Sequence, residues 1–143
     1  MKRVTCMFSL VLVGTIALGL AASPTLHAEQ KKEYVVKAKT KTLLKTALHG
    51  VPGKKVTIFR AKFPAGYVGG RHSHSGPIFV YVLKGSFTIE EQGKGKKTFQ
   101  AGQLYVEPIG QIMQAKNLSA KEPIEVLVFQ VSGEGEPLMY KAK

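Results

Sequence analysis

Gly70-Arg71-His72-Ser73-His74-Ser75-Gly76-Pro77-Ile78-Phe79-Val80-Tyr81-Val82-Leu83-Lys84-Gly85 is the stretch that decides how this chain folds. Its first half sets two histidines one residue apart between glycines, and its second half is an apolar run closed by a glycine. On an extended strand, residues i and i+2 point to the same side, so His72 and His74 can converge on one point. Ile78 to Leu83 reads as a buried central strand. Parity carries the face onward. With the histidines inward, Ile78, Val80 and Val82 are inward too, provided the Gly76-Pro77 bend preserves phase.

Outward from that stretch the chain is a series of short strand-like runs closed by glycine, proline or charged turns. Thr42–Leu48 reads as a first strand, followed by the turn Gly50-Val51-Pro52-Gly53. Lys55–Phe63 is β-branched and aromatic and stops at Pro64-Ala65-Gly66. Ser86–Gln92 turns back through Gly93-Lys94-Gly95-Lys96, and Thr98–Val106, Gln111–Lys116 and Ile124–Val131 complete the series. Gln111, Met113 and Ala115 share one face by alternation. Outside the N-terminus no run has the apolar period of an amphipathic helix, so the expected class is all-β, a sandwich or small barrel.

Further on, Gly102, Pro108, Gly110 and Asn117 recur at the spacing of a second, related motif. The two blocks together resemble the cupin superfamily, whose first motif is G-x5-H-x-H-x3-E-x6-G and whose second is G-x5-P-x-G-x2-H-x3-N. The resemblance runs from about Lys54 to Gln130 and implies a double-stranded β-helix, a small jelly-roll-like barrel. It also implies a metal held by three histidines and a glutamate. Here the glutamate position is Ile78 and the third histidine position is Met113. Two of the four ligands are replaced, which is the pattern of a degenerate metal site.

First-row metal enzymes need at least three firm protein ligands and an open position. Three repairs stand open. Met113 sulfur with His72 and His74 suits a soft copper ion; Gln111 offers an amide oxygen; or a substrate oxygen completes the shell of a divalent first-row metal. Against these stands a site with no metal, in which Ile78 and Met113 pack as core. Glu107, just before Pro108, reads as a surface carboxylate near the rim, with contact to a ligand as the alternative. Glu90 and Glu91 are neighbours on a strand, point to opposite faces, and cannot form an acid–base pair. Tyr81 has a polar tip suited to a pocket mouth. Aspartate is absent from the chain, which excludes a Ser-His-Asp triad. Asn117 reads as a turn cap and also begins Asn-Leu-Ser, a glycosylation triplet.

The N-terminus reads as an export signal. Lys2 and Arg3 precede an uncharged apolar run from Phe8 to Ala22, and Pro24 follows. That run is short of the roughly 20 apolar residues of a bilayer span. Cleavage is expected after Ala28, which makes the mature protein periplasmic or secreted. Cys6, the single cysteine, lies within this segment, so no disulfide is expected in the remainder. The domain reading is 1–28 signal peptide, 29–53 lysine-rich segment and first strand, and 54–143 barrel. The formal charge is +12, and removing Lys2 and Arg3 leaves +10. Such a chain can associate with an anionic envelope polymer or lipid surface. With no tryptophan and no aromatic residues among the lysines of 37–45, a specific nucleic-acid partner is not expected. The resemblance implies a homodimer through edge strands.

The expected function is binding of a small molecule in the barrel through His72, His74, Gln111, Met113, Ile78 and Tyr81. The alternative is a metal-dependent enzyme, a dioxygenase or isomerase, with a non-standard ligand shell.

Overall fold

The computed structural model describes residues 37–142; the expected signal peptide, its cut after Ala28 and the stretch 29–36 lie outside the described residues. Ten strands follow in order: β1 Lys39–Ala47, β2 Lys54–Phe63, β3 His72–Ser73, β4 Ile78–Lys84, β5 Ser86–Glu91, β6 Gly95–Gln100, β7 Leu104–Glu107, β8 Met113–Lys116, β9 Ile124–Gly133 and β10 Tyr140–Lys141. They form two five-stranded sheets, ordered β1-β2-β9-β4-β7 and β10-β3-β8-β5-β6, with antiparallel pairing throughout. No helix occurs among the described residues.

The apolar alternation seen in the sequence is what joins the sheets. On β4, Ile78, Val80 and Val82 are buried while Phe79, Tyr81 and Leu83 stand on the outer face. On β9, Ile124, Val126 and Val128 are buried in the same phase. From the second sheet Phe87, Ile89, Met113 and Ala115 close the core. Fully burying a side chain such as Val82 or Ile89 contributes about 1.5–3 kcal/mol.

Two glycines carry the chain from one sheet to the other. Gly85, between β4 and β5, has φ +80°, and a Cβ there would stand 2.6 Å from Ile124 Cγ2. Gly102 has φ +87° and separates β6 from β7. The single strand expected over Thr98–Val106 is therefore two strands in different sheets. The left-handed turn at Gly102 ends the first, and Gln100 N–H is capped by the Gln103 side chain at 2.7 Å.

The lysine-rich segment before Thr42 also differs from expectation. β1 begins at Lys39 and runs in register with β2, Lys39 opposite Lys62 and Lys41 opposite Arg60. Like charges across a ladder destabilise, and Glu125 on β9 offsets them by pairing with both Arg60 and Lys62. Every β1 residue is exposed, which suits an edge strand defended by lysines.

Asn117 is buried. Its amide N–H groups donate to Pro64 and Glu122 carbonyls at 2.9 and 2.8 Å, and its Oδ1 accepts from Ser119 N–H at 3.1 Å. The amide nitrogen is thus engaged inside the fold, as the turn-cap reading expects.

Candidate metal centre and ligand cavity

β3 and the residue after it deliver His72 and His74, and the end of β7 delivers Glu107. The imidazoles stand nearly perpendicular, at 86°, with centroids 4.9 Å apart. His72 Nδ1 lies 2.8 Å from the Gly70 carbonyl oxygen, and His74 Nδ1 lies 2.6 Å from that of Leu138. A carbonyl oxygen only accepts, so each Nδ1 carries a proton and donates it. In the neutral ring each Nε2 then keeps its lone pair, the state in which imidazole ligates a metal.

Glu107 sits directly opposite Ile78 in the β4–β7 ladder. Its Oε2 is 3.1 Å from His74 Nε2, and both side chains are 7% exposed. The contact lacks hydrogen-bond alignment, and Oε2 is buried with no hydrogen-bond partner. A carboxylate oxygen and an imidazole lone pair repel at that distance unless a proton or a cation lies between them. One ligand atom from each of His72, His74 and Glu107 falls within 4.8 Å of the others. Two imidazoles and a carboxylate form a donor set that zinc, iron and manganese accept, with positions left over for a ligand.

The three side chains open onto a cavity of about 410 Å³ walled by Phe59, Ala61, Phe63, Ile78, Val80, Phe87, Val126 and Val128 among others. Tyr67 also lines it, and burial pushes its phenol pKa up, so the hydroxyl stays protonated as a donor. The last strand reaches the same opening. Lys141 pairs with His72 across β3–β10, so both point to one face. Leu138 carbonyl also accepts from Gln130 Nε2 at 2.7 Å.

A second buried carboxylate lies nearby. Glu91 accepts from Tyr105 Oη at 3.0 Å and from Lys97 Nζ at 3.1 Å, with Lys94 Nζ 3.5 Å away. Burial raises its pKa, and the bonds and charges of Lys97, Tyr105 and Lys94 outweigh that, holding the carboxyl below its ordinary range. Burial first, and the Glu91 contact second, push the Tyr105 phenol well up.

Of the residues expected at the site, His72, His74 and Ile78 line the cavity together. Met113 is opposite His72 in the β3–β8 ladder and is buried in the apolar core. Gln111 is drawn away, its Nε2 donating to the Gln92 and Ile112 carbonyls at 3.0 and 3.3 Å. Tyr81 is corrected outright: it is 39% exposed on the outer face, one residue out of phase with Val80 and Val82. Glu107 is corrected the other way, from rim to interior. No local signal marked it: Leu104 and Val106, the apolar pair of β7, are exposed while Tyr105 and Glu107 are buried.

The profile described as "Cupin domain" matches residues 59–130. No curated protein matches the chain. Among solved structures, a cupin-like protein from Thermotoga maritima is similar with TM-score 0.61 and 19% identity, over 73% of this chain and 75% of that one. The DMSP lyase DddQ from Ruegeria pomeroyi is similar with TM-score 0.60 and 16% identity, over 80% of this chain and 56% of the lyase. KdgF from Halomonas sp. follows with TM-score 0.51 and 24% identity, over 65% and 77%. At these identities the likeness is one of fold.

Proposed function

We propose, from the premise that this chain belongs to the cupin domain family, that it binds a small organic molecule in its barrel against a metal ion held by His72, His74 and Glu107. The observation that carries this reading is the orphaned Glu107 Oε2, buried and 3.1 Å from an imidazole nitrogen it does not hydrogen-bond. Glu107 supplies the carboxylate that the first motif lacks at Ile78. It does so across the ladder, since directly opposed residues of an antiparallel pair share a face. The site is then not degenerate but rearranged.

The ion's contribution, when bound, is Lewis-acid polarisation of a ligand oxygen. The chain does the rest. Gly70 and Leu138 carbonyls fix the imidazoles, the apolar wall excludes water and buries the ligand's body, and Tyr67 holds a proton for donation.

The test is metal analysis of untagged protein prepared without chelator. Near one equivalent of zinc, iron or manganese is expected, falling below about a tenth in His74→Ala, with a rise in the unfolding temperature on adding the metal. Protein that holds no metal, and whose unfolding temperature no added divalent ion raises, would sink the proposal.

A further inference from the structure

We infer that the molecule this cavity takes is a small organic anion with a flat apolar body, its anionic group held at the mouth by Lys141 beside the histidine pair. The inference rests on the cavity reading above and adds the ligand's charge and shape.

Charge comes first. Among the described residues Glu107 is the sole carboxylate in the cavity wall, and its Oε2 faces His74 Nε2 at 3.1 Å. Two cationic residues line the same space, Arg71 and Lys141. Arg71 directs its guanidinium elsewhere, donating to Gln92 Oε1 at 2.7 Å. Lys141 is placed opposite His72 and on its face, and the ion pairs among the described residues do not include it. With a divalent ion, two neutral imidazoles and one carboxylate leave a net positive centre. With a proton in its place the His74–Glu107 pair is neutral. In both states Lys141, exposed at the cavity mouth, keeps a positive charge with no carboxylate partner among the described residues, and that charge attracts an anion entering the cavity.

Shape follows from the wall. Phe63 stacks obliquely on Tyr67 at 4.8 Å and on Phe87 at 6.0 Å, and Phe59 joins the same lining. A planar ring adds to such a cluster with the offset or edge contacts that aromatic groups prefer. At about 30 Å³ per water, the space holds about 14 waters. That suits a molecule of two or three rings.

Two fluorescent probes with one ring skeleton separate charge from shape: anilinonaphthalene sulfonate, which is anionic, and phenylnaphthylamine, which lacks the sulfonate. Binding is measured by fluorescence titration on metal-free and metal-loaded protein. The anionic probe should bind at least about ten-fold tighter, a difference of about 1.4 kcal/mol. On metal-free protein Lys141→Gln should bring the two within about two-fold, Lys141→Arg should keep most of the preference, and Lys45→Gln on β1 should leave it unchanged. Equal or tighter binding of the neutral probe, or a preference that survives Lys141→Gln, overturns the inference. Ala61→Trp obstructs the cavity from its buried wall and should weaken both signals. If both probes bind undiminished to folded Ala61→Trp, the cavity reading itself fails, separately from the charge.

Discussion

Two glutamates lie buried on inward faces of this barrel, and their surroundings differ in kind. Glu91, 2% exposed, is met by a phenol and by two lysines reaching in from the surface; its Oε2 also lacks a hydrogen bond but has the Lys94 ammonium 3.5 Å away. Glu107, 7% exposed, meets one imidazole and keeps an oxygen with no hydrogen bond. A buried carboxylate costs several kcal/mol unless it is compensated. Glu91 is compensated by its own chain and reads as structure. Among the described residues Glu107 has no cationic side chain of its own chain beside it, and it reads as the carboxylate of the proposed metal site. Tyr105 sits between them on β7, bonded to the first and two residues from the second. Burial alone therefore does not mark a functional carboxylate; the identity of its partners does.

The contrast can be broken most forcefully at Glu107. Glu107→Gln should lower metal affinity by more than about 100-fold, beyond the 10–100-fold typical of losing an outer partner. The double exchange Ile78→Glu with Glu107→Leu returns the carboxylate to the same face across the ladder and should recover affinity to within about ten-fold. Titration calorimetry reads both, and unaltered affinity in Glu107→Gln would remove the carboxylate from the ligand set.

Next in size is Glu91→Gln, expected to leave metal content untouched while lowering stability by about 1–3 kcal/mol in urea. Its folded pKa is depressed, so its stabilisation is complete above about pH 4.3 and is lost as pH falls through the lower folded value. Between about pH 6 and pH 3 the variant's urea midpoint should fall less steeply than the wild type's. Loss of metal in this variant would erase the distinction between the two carboxylates.

The smallest effect belongs to Tyr105→Phe, about 0.5–1.5 kcal/mol from one hydrogen bond. The folded phenol pKa is raised, so its contribution is complete below about pH 10 and is lost as pH climbs toward the folded value. Thermal unfolding from about pH 9 to pH 11 should flatten in the variant relative to wild type.

Much of this architecture was written locally. The glycine and proline spacing announces the barrel, and β4 alternation places Ile78, Val80 and Val82 on the cavity side. The same parity, applied to Tyr81, would have put it outside. What escaped is long-range. Glu107 joins His74 only because β7 crosses to the other sheet after Gly102, and a carboxylate before a proline gives no local hint of that crossing. The two-residue strands β3 and β10 are too short for any periodicity, yet they place Lys141 opposite His72. Lys39 and Lys41 have no apolar alternation, so their strand is a gift of the neighbouring ladder rather than of propensity.

Both imidazoles take their bearing from main-chain oxygens, at Gly70 and Leu138. Such an anchor has no side chain to mutate away. Residue 138 can drift to almost any identity while its carbonyl goes on assigning the His74 proton, so tolerance to substitution at that position would be no sign of irrelevance. Only a change that reroutes the backbone, an insertion or a proline nearby, can retune the ring it holds.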